Sequence, residues 1–168
     1  KIYSSFFMNS VKISFLLFFF LISINVGYAQ DIYDGNGLEV TEPIGIFVLV
    51  ENLTDDAAEI GLNSRRIQDK IELRLQQADI NIISRKEYLE GSYDYFLYAN
   101  INVIGNAFST SLQFQRNTFY IVGEKFYTKR AISWEISGSG THGRDSEYII
   151  DVIDRNMDSF INNFLKAN

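Results

Sequence analysis

The 168-residue sequence predicts an α+β domain. The expected form is a two-layer sandwich: a mostly antiparallel, four- to five-stranded sheet with two helices on one face, in the order β-α-β-β-β-β-α. Three observations carry this. Between Tyr95 and Gly138, apolar residues tend to recur at every second position in three runs broken by glycine turns. That is the pattern of a meander with one buried and one solvated face. Residues 63–79 and 145–168 instead space their apolar residues three and four apart, the period of amphipathic helices. A nearly continuous β-branched run, Ile44–Asn52, precedes both and reads as a strand buried on both sides.

The amino end is read as a targeting segment, residues 1–29. The chain begins with Lys1, so Met8 is the expected start. Lys12 is followed by the apolar run ISFLLFFFLISI (Ile13–Ile24), and Gly27 and Ala29 stand at the −3 and −1 places of a cleavage site before Gln30. This is the layout of a secretory signal peptide. Twelve helical residues reach about 18 Å, short of a hydrocarbon core of about 30 Å, so no stable membrane span is expected after cleavage. The sequence has no cysteine. That excludes both a lipid-modified amino terminus and any disulfide. A periplasmic or secreted bacterial protein, not a lipoprotein, is expected. Residues 30–43 read as a flexible leader and 44–168 as a single domain.

Within that domain, Asn63 or Ser64 caps a helix whose buried stripe is Ile67, Ile71, Leu75 and Ala78. Ile80–Ile83 reads as a short strand, and residues 84–94 as a loop or short helical turn. The run from Tyr95 places Leu97, Ala99, Ile101 and Val103 on one face and Tyr98, Asn100 and Asn102 on the other. After the turn at Gly105–Ala107, Phe108, Leu112 and Phe114 point inward while Ser109, Ser111, Gln113 and Gln115 point outward. After the Gly123–Lys125 turn, Ile132, Trp134 and Ile136 are expected inward. Asp145 or Ser146 then caps a last helix with the stripe Ile149, Val152, Ile153, Met157, Phe160 and Phe164.

Charge and motifs narrow the function. The formal charge of −6 becomes −8 once residues 1–29, which hold Lys1 and Lys12 and no acid, are removed. Such a domain is a poor partner for nucleic acid or anionic headgroups. The stretch GSGTHG (138–143) matches G-x-G-x-x-G. A dinucleotide turn also needs a following parallel strand and an acid about 20 residues on, and neither is present. The glycines are read as a loop leading into the last helix. Thr141, His142 and Arg144 are kept there as possible contacts for a small anion. His142 is the sole histidine, expected in an exposed loop with no catalytic part; with no cysteine beside it, no metal set is expected. No motif marks a catalytic group or a cofactor. The aromatic hairpin, with Phe119, Tyr120, Phe126 and Tyr127 beside Arg116, Lys125, Lys129 and Arg130, is the candidate contact surface for a partner.

GLNSRRIQDKIELRL before a short strand, FLYANINV, SWEISGSGTHG and the closing SFINNFLKAN together resemble a group of small secreted bacterial proteins with no established activity. The likeness runs from Ile44 to Asn168 and implies no site. More loosely, the element order is similar to the amino-terminal domain of the periplasmic TolB protein, a likeness of fold that does not settle function. The expectation is a non-enzymatic envelope domain that contacts an envelope protein. The alternative is a small-anion or glycan binder using the glycine loop.

Overall fold

The computed structural model describes residues 35–41 and 44–168, which belong to one compact unit, Gly35–Asn168. The expected signal peptide and the start of the expected leader lie outside the described residues. The structure is of the α+β class, a mixed four-stranded sheet with four helices. In chain order these are β1 (Val48–Val50), α1 (Asp55–Glu59), α2 (Ser64–Gln77), α3 (Arg85–Glu90), β2 (Tyr95–Ile104), β3 (Ala107–Val122), β4 (Lys125–Thr141) and α4 (Ser146–Ala167). The sheet order is β1-β2-β3-β4; β1 runs parallel to β2, and the other neighbours are antiparallel.

Alternation in β2 and β3 produces one apolar face. Leu97, Ala99, Ile101 and Val103 are buried on β2, and Phe108, Leu112 and Phe114 on β3. The stripes of α2 (Ile67, Ile71, Leu75) and α4 (Ile149, Ile153, Met157, Phe160, Phe164) close over them in one cluster. Phe160 sits at its centre, with ring centroids 6.0 Å from Phe114 and 5.5 Å from Trp134. Burying a side chain of this size contributes about 1.5–3 kcal/mol. Asn63 caps α2 through Arg66 N–H, and Asp145 caps α4 through Glu147 N–H. Where the helices meet, Lys70 and Arg74 pair with Asp154 at 3.3 and 3.2 Å, Arg66 with Glu147, and Arg74 also with Asp158. Such part-exposed pairs are worth at most about 1 kcal/mol each, so they align the helices more than they hold them.

Three expectations are corrected. The strand expected at Ile80–Ile83 is a single parallel bridge, Ile46 to Ile82. Asp79, at φ 56°, turns the chain out of α2, and the Ser84 capping box starts α3 immediately afterwards, so no length remains for a ladder. Within the leader expected to be flexible, residues 36–40 are docked. Leu38 is 0% exposed, Arg116 Nη2 donates to the carbonyls of Gly37 and Glu39 (3.0 and 2.9 Å), and Asn168 bonds to both Val40 and Leu38. Gly37 has φ 85°, and a Cβ there would lie 2.0 Å from the Ser133 carbonyl oxygen, so only glycine permits the crossing. Finally, Ile132 points outward, 50% exposed. The β3–β4 register slips between Phe114 and Gln115: Phe114 faces Trp134, but Gln115 faces Ile132. One extra residue, Ser133, reverses the faces beyond it.

Because Leu38 fills the core from outside the expected domain, Leu38→Ala should cost about 2–5 kcal/mol in urea denaturation. The exposed control Leu89→Ala should stay within about 0.5 kcal/mol of the wild type.

Candidate functional site

The long hairpin leaves the sheet. Tyr95 pairs with Arg116 at the start of β2, so among the described residues the segments 117–122 and 125–130 have each other but no third strand. They form a two-stranded arm closed by Gly123 and Glu124. Aromatic and β-branched residues favour the extended backbone, and cross-strand pairs such as Tyr120 on Tyr127 (stacked, 5.3 Å) hold the register. An isolated hairpin is marginal in water; this one is rooted in the strands that form the core.

Alternation sorts the arm into two faces. Phe119, Ile121 and Phe126 share the face that continues into Gln115 and Ile132. Tyr120, Val122 and Tyr127 occupy the other. Phe119 and Phe126 are 72% and 74% exposed, and Tyr120 and Tyr127 also lie open. The four expected contact residues are therefore all on the arm and accessible, but as two pairs on opposite faces. Lys125, Lys129 and Arg130 with Glu124 make the arm basic on an acidic chain.

The glycine motif is placed differently from expectation. Gly138 and Gly140 belong to β4, facing Thr110 and Phe108 on β3. A Cβ on Gly140 would come 3.1 Å from the Phe108 ring, so the glycine makes room for that side chain. Only Gly143, at φ 55°, serves the turn into α4. His142 is buried, 3% exposed, not in an exposed loop. Its Nδ1 accepts from Arg144 N–H (3.0 Å), so Nε2 carries the proton donated to the Gly105 carbonyl (3.0 Å). The imidazole thus ties the β2–β3 turn to the β4–α4 turn, and both ring nitrogens are engaged. Thr141 and Arg144 are exposed beside it, and Asp145 already occupies the helix start, so the three expected anion contacts do not converge on an open donor set. Among the described residues no group of three His, Asp or Glu side chains is arranged to hold a metal.

The outer sheet face is a polar carpet over a shallow groove of about 410 Å³. Glu51 accepts from Tyr98 Oη and Asn100 Nδ2, and Glu135 accepts from Ser111 Oγ and Gln113 Nε2. The Ser111 and Gln113 donors hold the Glu135 carboxyl below the usual carboxylate value, against a smaller opposing effect of burial. Burial first, then the Glu51 hydrogen bond, pushes the Tyr98 phenol up. Glu135 is thereby kept ionised and is not poised as a general acid.

Sequence reasoning missed a smaller pocket on the same outer face, near β1. Phe47, Tyr88 and Phe96 form an aromatic cluster there, with Phe47–Tyr88 centroids at 5.1 Å and Tyr88–Phe96 at 5.8 Å. Arg130, from the arm, lies 4.6 Å over the Phe96 ring. The available signal was the aromatic-rich stretch EYLEGSYDYFLY (87–98), which holds Tyr88 and Phe96 but not Phe47 or Arg130. Comparison of the chain with protein-family models, curated proteins and solved structures finds no match.

Replacing His142 with Ala should lower stability by about 1–3 kcal/mol, because two backbone groups lose their partner. Calorimetry would read it. For Glu135 the folded pKa is depressed, so its stabilising contribution is present above the ordinary value of 4.5 and is lost as pH falls through the folded one. Glu135→Gln should therefore weaken the protein at neutral pH and flatten the acid limb of its stability curve.

Proposed function

We propose that the chain is a non-enzymatic domain of the bacterial cell envelope that holds a partner protein through the β3–β4 arm. In this reading the domain is a two-layer sandwich, with α2 and α4 as one layer and the arm projecting beyond it. The single observation that carries the proposal is the exposure of aromatic and aliphatic side chains on both faces of a two-stranded extension that contributes nothing to the core. Scattered apolar residues are ordinary on a surface; a cluster of Phe119, Ile121, Val122 and Phe126 on one projecting element is not. Aromatic anchors supply large contact area at low entropic cost, and the basic residues at the arm's root favour an acidic partner. The polar outer carpet, whose hydrogen bonds are made within the chain, supports a passive surface rather than a reaction centre. The envelope placement rests on the targeting segment read in residues 1–29.

Crosslinking in intact bacteria should trap one dominant protein partner. Substituting Ser for Phe119 and Phe126, or for Tyr120 and Tyr127, should each reduce capture at least about tenfold, equivalent to about 1.4 kcal/mol, with little change in melting temperature. Undiminished capture by both variants would remove the proposal. Sequencing the amino terminus of the exported protein should return Gln30 first.

A further inference from the structure

The pocket beside β1 belongs neither to the arm's contact faces nor to the core. It is a cavity of about 260 Å³. Its apolar walls are Phe47 and Leu49 from the β1 segment, Phe96 from β2, and Tyr88 and Leu89 from α3. These side chains lie on the sheet face opposite the one that α2 and α4 cover. Phe96 alternates outward from Leu97, yet it is only 2% exposed because α3 and Arg130 close over it. The Ser84–Glu87 capping box fixes the start of α3 and so sets Tyr88 against Phe47.

Two guanidinium groups complete the lining, Arg85 from the start of α3 and Arg130 from the arm. Arg66, Lys70 and Arg74 meet carboxylates of α4, whereas the remaining cations of the described residues, these two among them, do not. Arg85 and Arg130 form no ion pair among the described residues, although the chain has an excess of acids. Stacking on Phe96 orients the Arg130 fork while leaving its outer N–H donors open. An aromatic floor with two unneutralised forks at its rim matches one ligand chemistry: a compact apolar body carrying a carboxylate. The apolar part would lie against Leu49, Tyr88 and Leu89, over the covered Phe96 ring, and the carboxylate would take paired N–H bonds from Arg130 and Arg85. A cavity of this size, just under the usual range for drug-sized ligands, selects a single ring or a short branched chain.

We propose that this pocket binds a small aryl or branched-alkyl carboxylate, with Leu49, Tyr88 and Leu89 against the apolar group and Arg85 and Arg130 holding the anion. The same chemistry occurs in a free organic acid and in the carboxyl-terminal residue of a peptide. The proposal shares Arg130 with the arm but does not rest on partner capture through Phe119 and Phe126.

The test is ligand-observed NMR on the whole domain with three probes: phenylacetate, its neutral isostere phenylacetamide, and acetyl-leucyl-phenylalanine with a free carboxylate. Saturable binding of phenylacetate at least about tenfold tighter than the amide is expected, since the neutral amide forgoes the charge-assisted hydrogen bonds. Arg130→Gln should lose most of that preference for the acid while leaving amide binding and the circular dichroism spectrum unchanged. Tighter binding of the dipeptide than of phenylacetate would also support the site and identify its ligand as a chain terminus. Leu89→Trp, which fills the cavity from an exposed position, should block all three probes without disturbing the core. Equal affinity for acid and amide, no saturable binding at millimolar concentration, or unaltered binding in both variants would overturn the proposal. Partner crosslinking through Phe119 and Phe126, measured on the same Leu89→Trp protein, separates failure of this site from failure of the arm.

Discussion

Phe160 packing on Phe114 and Trp134 is the contact on which the rest of the architecture depends. It joins the last helix to the two longest strands, and the other stripe residues of α2 and α4 find their places around it. With α2 and α4 packed on one sheet face, the polar side chains of the opposite face must be satisfied among themselves. This is done by the bonds that converge on Glu51 and Glu135. The ion pairs between α2 and α4 follow from the same clamp: once the stripes meet, the polar flanks of both helices lie side by side.

The bulge at Ser133 separates the scaffold from the arm. Up to Trp134, β4 follows the inward and outward alternation of β3; beyond it, the extra residue sends Ile132 outward. The same residue anchors the amino-terminal segment, since Ser133 Oγ donates to the Gly37 carbonyl and receives a bond from Arg116 Nε. One irregularity therefore does three things. It reverses the faces, receives Leu38's segment, and starts the stretch of hairpin that the core does not cover. Strands that outrun their neighbours present unmet backbone and apolar surface, which soluble proteins retain mainly where something binds.

The meander between Tyr95 and Gly138 and the two amphipathic helices were legible because their periods of two and 3.6 are set by local backbone geometry. Leu97, Ala99, Ile101, Ile67 and Phe160 could be placed inward on that basis alone. The caps, at Asn63 and Asp145, were legible to within one residue for the same reason: a side chain bonds a backbone group two or three residues away. Ile132 was misplaced because a bulge has no periodic signature. His142 was misplaced because its partners, the Gly105 carbonyl and the Arg144 amide, become neighbours only when two separate turns meet. Of the candidate site, the exposure of Phe119, Tyr120, Phe126 and Tyr127 was anticipated. Their division between two faces needed the register, and the pocket under Arg130 needed three elements brought together.

What the amino acids determined alone was the inventory: an α+β class, two striped helices, a polar sheet face, an acidic charge, and no cysteine to crosslink or bind metal. Those properties follow from composition and from interactions spanning a few residues. Tertiary structure decided where the chain's exceptions fall. It buried Leu38 and His142, reduced Ile80–Ile83 to one bridge, turned Ile132 out, and set Arg130 over Phe96. Each of these joins residues far apart in sequence, and their energies exist only after the core has closed and fixed the distances between them.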